Sequence, residues 1–316
     1  MSQQQIILTP RSGRWTRFRK AIVKHRYLYL LATPAIIWYI IFRYIPLFGV
    51  QIAFRDFNLS RGIFHSEWVG LRHFRFLFFQ SHDFFSVVSN TIIINIMNLL
   101  VFFPMGIILA LLLNELRNKY LKRTIQTAVY FPHFLSWVIY GGIIIFLLSP
   151  SDGLVNALLR LFGREPIFFM TRSEYFRWII VFSNVLKDSG WAAIIYLAAL
   201  SGVDMQLYEA AFVDGAGRWK RLIHVTIPGI RNAIIIMLIL RVGNLLEVGF
   251  EQIFVLYNPA VFNVGDVIST YIYRVGLQNL QFSITTAMGL FQSVIGFTLI
   301  LMVNWLARRY SDVSLF

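Results

Sequence analysis

Cysteine is absent from all 316 residues, which excludes disulfides, thiolate nucleophiles and cysteine-ligated metals. Charge is scarce too: 14% of the residues are Asp, Glu, Lys or Arg against 57% hydrophobic, and the mean hydropathy is +0.64. A soluble domain of this length spreads charge along every element, whereas here runs of about twenty residues carry almost none. That leaves an all-α, polytopic membrane protein. There is no G-x-x-x-x-G-K-[ST] phosphate loop, so the chain does not hydrolyse ATP alone. The missing D-x-D, H-E-x-x-H and G-x-S-x-G speak against a membrane-embedded glycosyltransferase or protease. No catalytic residue and no metal-ligand set is assigned. The net charge of +14 is informative through its distribution about the spans, and no nucleic-acid partner is inferred from it.

Six apolar segments are long enough for tilted helices: about 28–51, 87–113, 125–149, 177–200, 233–256 and 284–306. A basic tail, 1–27, precedes them. The first segment is too long for a cleavable leader and its far end, "FRYIPLFGV", lacks a small-x-small site. With the N-terminus in the cytoplasm, 17 basic residues fall on the inner side and 9 on the outer. The inner set joins the tail (Arg11, Arg14, Arg17, Arg19, Lys20, Lys24, Arg26), the loop at 114–124, the stretch at 201–231 and the C-terminal end. This bias sets the expected orientation. Seven acidic residues on the outer side leave that face nearly neutral.

Between the fourth and fifth segments, on the inner side, lies a polar and basic island at 201–231. Asp204 is placed to cap a helix over 205–213, Asp214 and Gly215 supply a turn, and a second amphipathic helix runs to about 225, ended by Pro228. Such a hairpin can be an interfacial linker anchored by Trp219 and snorkelling cations. The letters "EAAFVDGAGRWKRLIHVTIPGI" favour another reading. They resemble the EAA loop of permease subunits in binding-protein-dependent ABC importers, with Glu209, Ala210, Ala211, Asp214, Gly215, Ala216 and Pro228 in the family's order and Arg218 following the turn. The resemblance implies coupling helices seated in a cleft of a cytoplasmic ATPase subunit. The small alanines permit close approach, Gly215 permits the bend, and Glu209 can pair with a partner arginine or cap its own hairpin.

From about residue 25 onward, stretches such as "LLLNELRNKYLKRTIQTAVYFPHFLSWV" and "VGFEQIFVLYNPAV" are similar to the polysaccharide-type branch of carbohydrate-uptake permeases, related to the maltose and multiple-sugar importers. This resemblance makes 28–316 an importer transmembrane domain in a bacterial cytoplasmic (inner) membrane. It implies a second, usually different, permease subunit, two ATPase subunits that bind ATP and Mg, and an extracellular or periplasmic solute-binding protein. The chain itself then needs no cofactor. The implied mechanism is alternating access for a glycan.

Charges within hydrocarbon cost about 2.5–3.5 kcal/mol each near the centre, so they face cavities or partners. Asn184, Lys187, Asp188 and Trp191 share one helical face. Arg241, Asn244, Glu247 and Glu251 fall within an arc of about 120° on an uninterrupted helix. His133, Ser136 and Tyr140 share a third face beside Trp137. Aromatic planes stack on sugar rings while amides and carboxylates bond hydroxyls, so Asn184, Lys187, Asp188, Trp191, Arg241, Asn244, Glu247, Glu251 and Tyr140 are the candidate pathway residues. The same groups can instead join helices, meet the second permease, or relay ions in a secondary transporter through Lys187, Asp188, Glu247 and Glu251. His133 reads as a packing residue. Gly289, Ser293 and Gly296 read as a close helix contact, and the aromatic stretch at 52–86 as an interfacial belt or a binding-protein contact. Lys187 and Arg241 lean toward acidic, uronate-containing glycans such as alginate or pectin fragments, while Glu247, Glu251 and the neutral outer face oppose that lean.

Overall fold

The structure, a computed structural model, describes Trp15 and residues 23–310. Arg11, Arg14, Arg17, Arg19 and Lys20 of the basic tail lie outside the described residues. Four helical stretches are long and apolar enough to cross a membrane, or up to six if each of two bent pairs counts as one span. Among the described residues, strand is confined to Arg55–Asp56 (β1) and Glu67–Trp68 (β2), an antiparallel pair.

α1 (Arg26–Tyr39) continues through a π-helical turn, Ile40–Tyr44, and a 3-10 stretch, Ile45–Phe54. None of α1 is buried, so its apolar surface is uncovered among the described residues. After the hairpin and α2 (Arg72–Phe79) come α3 (His82–Glu115) and, further on, α7 (Ser173–Ser201). At 34 residues, α3 is about 51 Å long, well beyond a hydrocarbon core of about 30 Å, so it must tilt or protrude. α3 and α7 form the central pair. Near one end Ile94 packs with Phe176 and Ile180, and near the other Ala110 packs with Ala193, Tyr196 and Leu200.

The aromatic stretch at 52–86 does not form a simple belt. Phe74 and Phe78 turn into a core with Leu77 and Phe84, and Phe78 meets Phe291 edge-on at 5.6 Å, while Trp68 and Phe79 stay exposed.

Two expected spans are broken. The third apolar segment is split into α4 (Lys119–Tyr130) and α5 (Trp137–Leu147) by a 3-10 turn, Phe131–Phe134, with a 105° bend between the halves. Pro132 cannot donate into the helical ladder, Leu135 and Ser136 are extended, and the Ser136 hydroxyl accepts from the Ile139 amide at 3.3 Å to start α5 afresh. α6 (Leu154–Leu161) follows. The fifth segment is split into α10 (Arg231–Gly243) and α11 (Phe250–Leu256), with non-helical chain from 244 to 249. The 120° arc assigned to Arg241, Asn244, Glu247 and Glu251 assumed an unbroken helix and does not exist as drawn. α12 (Phe282–Tyr310) closes the described chain.

α4 approaches α7 so closely that a Cβ on Gly190 would lie 2.2 Å from the Val129 carbonyl oxygen. Gly190→Val is therefore expected to force the two helices apart and lower the unfolding midpoint in detergent by several degrees, in the range of overpacking costs of about 1–3 kcal/mol. An unchanged midpoint would show that α4 yields freely.

Candidate functional site

The island is a capped hairpin. Asp204 accepts from the Gln206 amide at 2.9 Å and starts α8 (Met205–Val213). At its end the Gly215 amide donates to Phe212 O and the Ala216 amide to Ala211 O, at 3.0 and 2.9 Å, with Gly215 at φ +75°. This is a Schellman closure, which needs the left-handed residue that glycine supplies. Asp214 holds the position before it. α9 (Arg218–Arg221) then runs into a π-helical turn, Leu222–Thr226, and a further turn, Ile227–Gly229. Pro228 sits in the first turn of that last piece instead of ending the second arm, and the 61° bend follows it. The arms are tied by Tyr208 Oη donating to Thr226 Oγ1 at 3.0 Å and by the Arg221 guanidinium over Phe212 at 5.8 Å.

Because Asp204 makes the cap, Glu209 is left exposed, with no hydrogen bond or ion pair among the described residues. Ala210 is exposed and Ala211 half-buried; Phe212, Val213 and Trp219 show 68, 85 and 77% of their surface. A carboxylate on the same hairpin as several large exposed apolar side chains suits a protein partner, since single-chain surfaces seldom cluster them.

A polar cavity of ≈ 170 Å³ lies where α3, α5, α7, α10 and α11 meet. It brings together Asn184 and Asp188 of α7, Arg241 of α10 and Glu247 of the broken segment, four of the residues nominated from sequence. Asn95, Asn98, Trp137 and Gln252 join them. The asparagines could have been found: amides at i and i+3 in the otherwise apolar "NTIIINIMN" share one face. Asn184 Nδ2 donates to Asn98 Oδ1 at 2.9 Å, and Gln252 Nε2 donates to Ile180 O at 2.7 Å and Ser183 Oγ at 3.1 Å. The Arg241 guanidinium lies 5.5 Å over the Phe102 ring and forms no ion pair among the described residues.

Other nominated residues do different work. Lys187 is buried, and its ammonium donates to the carbonyls of Pro132, His133 and Leu135 at 3.1, 2.9 and 2.7 Å, between the rings of Trp137 and Tyr140. All three protons are used. It is a strut that holds the α4–α5 kink rather than a lining cation. Lys187→Met is expected to leave those carbonyls unpaired and lower the unfolding midpoint by several degrees, from about 2 kcal/mol, with the acidic-over-neutral substrate ratio unchanged. A shifted ratio at unchanged stability would return Lys187 to the pathway. Tyr140 is buried and donates to Ser183 O, so it too packs. His133 stacks on Trp191 at 4.4 Å with planes 5° apart, and its Nδ1 lies 2.7 Å from Asp188 Oδ1. Asn244 and Glu247 line a second cleft of ≈ 480 Å³ between α10 and α12, with Gly289, Ser293 and Gly296 across from them. Gly289 and Ser293 border this open space, whereas Gly296 keeps the expected close helix contact, since a Cβ there would lie 3.4 Å from the Gly243 carbonyl oxygen. Glu251 is exposed on α11 and lines neither cavity.

Beyond the spans, Arg274 meets Asp266 and Asp83. Burial alone would lower its pKa, but its hydrogen bond to Asp266 and both carboxylates hold it above the ordinary value.

Residues 102–312 match the family described as binding-protein-dependent transport system inner membrane component. The polygalacturonan/rhamnogalacturonan transport system permease protein YteP of Bacillus subtilis (strain 168) is 42% identical over 295 residues, covering 93% of this chain and 92% of that one. Protein LplB of the same organism is 41% identical over 305 residues, 96% of each. In structure, the chain is similar to a subunit of a bacterial ABC transporter involved in the import of the acidic polysaccharide alginate, with a TM-score of 0.87, 42% identity, and 93% of this chain and 99% of that one covered. A bacterial alginate ABC transporter solved in complex with an alginate pentasaccharide-bound periplasmic protein gives 0.88 at 41% identity, with coverage of 95% and 100%.

Proposed function

This chain belongs to the family of binding-protein-dependent transport system inner membrane components, and from that premise we propose that it is the permease subunit of an ATP-driven importer of acidic oligosaccharides. The substrate class rests on one observation: Arg241 forms no ion pair among the described residues and faces a polar cavity that it shares with four amides and with the carboxylates of Asp188 and Glu247. An arginine at that depth needs an anion, and a uronate carboxylate supplies one in bidentate geometry. Asn95, Asn98, Asn184 and Gln252 present amides for sugar hydroxyls and Trp137 a ring of the cavity wall, while Trp191, nominated from sequence, is stacked on His133 and lines no part of it. The kinship to polygalacturonan and alginate transport proteins supports the same class.

The N-terminus lies in the cytoplasm, which puts the hairpin from Asp204 to Pro228 on the side of the ATP-hydrolysing partners. Glu209, Ala210, Ala211, Asp214, Gly215, Ala216 and Arg218 dock there on one of two ATPase subunits that bind ATP and Mg. A second permease subunit covers the unpartnered α1, and a solute-binding protein delivers the glycan to the opposite mouth. The ion-relay reading loses its relay, because Lys187 spends its protons on backbone carbonyls and Glu251 lies apart from both cavities.

The test is reconstitution of the chain with its partner subunits, measuring ATP hydrolysis stimulated by binding protein loaded with oligogalacturonate, oligoalginate or a neutral maltooligosaccharide. Stimulation by a uronate is expected. Stimulation by the neutral glycan alone would overturn the substrate class.

A further inference from the structure

On the far side of α7 from the polar cavity runs a second groove, ≈ 330 Å³ in volume and apolar along its length. Ile144 and Leu147 of α5 form one wall, and Tyr175, Trp178, Phe182 and Leu186 of α7 the other. The Ser183 hydroxyl that also borders it is already engaged, donating to Ile180 O at 3.0 Å and accepting from Gln252. Nothing inside asks for a polar partner, so neither a glycan nor a polar peptide segment belongs there.

We infer that this groove holds an acyl chain of a glycerophospholipid from the leaflet opposite the coupling hairpin, with its phosphate on Arg172. Length is the first reason. Tyr175 to Leu186 spans ~16 Å of helix, starting at the end of α7 away from the hairpin, and one leaflet of a core about 30 Å thick is ~15 Å deep. Width is the second. Spread over that length, the volume corresponds to a cross-section of about 20 Å², a quarter of the roughly 80 Å² filled by an α-helix with its side chains. A single hydrocarbon chain fits and a packed helix does not.

The mouth supplies the third reason. Arg172 is exposed, forms no ion pair among the described residues, and stands between two lining residues, Phe169 and Tyr175, whose rings meet edge-on at 5.3 Å. A guanidinium at headgroup level beside Tyr175 and Trp178 is the usual arrangement of an interfacial anchor. Glu174, exposed beside it, keeps the mouth from selecting net negative lipids, so the recognised group is the phosphodiester itself. Alongside lies α6, pinned by the buried Asn156, whose amide donates to the carbonyls of Leu148, Ser149 and Ile167. Its Leu154, Leu158 and Leu161 face outward and exposed, as in a helix lying in the interface plane.

The experiment is native mass spectrometry of the assembled importer after exchange into lipid-free detergent, followed by titration with phosphatidylethanolamine or phosphatidylglycerol. The expected result is a phospholipid retained on this subunit with either headgroup, lost in Ile179→Trp, which fills the groove, and held about tenfold more weakly in Arg172→Gln, from the loss of one charge-assisted contact to phosphate. Equal retention by wild type and Ile179→Trp would overturn the inference, as would no retention by wild type. A photoreactive residue at Phe182 that captures a partner polypeptide instead of lipid would overturn it without requiring either variant to fold.

Discussion

Glu209→Lys in the assembled importer is expected to cut substrate-stimulated transport by ~30-fold to ~5,000-fold while the subunits still co-purify. The carboxylate is exposed, carries no partner among the described residues, and stands on a helix whose own cap is made by Asp204. Reversing it therefore costs the chain's fold nothing and would fall wholly on the proposed contact with the ATPase, where removing one member of a buried charge pair costs about 2–5 kcal/mol. Gly215→Val is expected to act in the same direction through the backbone. At φ +75° a β-branched residue is strained by about 1–2 kcal/mol, which reopens the Schellman closure and redirects α9. Steady-state ATP hydrolysis with loaded binding protein reads both. Full coupling in Glu209→Lys would mean that the hairpin does not carry the stroke.

Arg241→Gln is expected to lower uptake of uronate oligosaccharides by ~10-fold to ~100-fold, the value of a charge-assisted hydrogen bond of about 1.5–3 kcal/mol, and to leave any neutral-glycan uptake within a few-fold. The side chain lies over the Phe102 ring and forms no ion pair among the described residues, so the change removes a cavity-facing charge without unpairing another. Competition between radiolabelled acidic and neutral oligosaccharides measures the ratio. An equal loss for both classes would make Arg241 structural.

Local signals with a short-range cause were legible in the sequence. Asp204 as cap and Gly215 as the left-handed residue bound α8 at Met205–Val213, because capping is decided within a turn. The cavity-facing set was half legible. Asn184, Asp188, Arg241 and Glu247 were found because a polar atom in an oily run is conspicuous wherever it points. Lys187 was assigned to the pathway for the same reason, and wrongly: what consumes its ammonium is a kink 52 to 55 residues earlier, a distance no periodicity reports. Asp188 likewise found His133 across the same gap. The broken fifth span defeated the helical-wheel reading because Gly243 and Gly249 mark a possible break, while only packing decides whether the helix takes it. Hydropathy, which averages over a window, saw one segment where the chain makes two.

Gripping of the hairpin by a separate motor subunit is directly testable because the chain has no native cysteine. A cysteine placed at Ala210, paired with one in the docking cleft of the ATPase subunit, is predicted to cross-link in the assembled importer in membranes, with a yield that changes between nucleotide-free and ATP-bound states. A hairpin cysteine that never cross-links to the ATPase, or that reacts with a membrane-impermeant thiol reagent added from outside intact cells, would contradict the account.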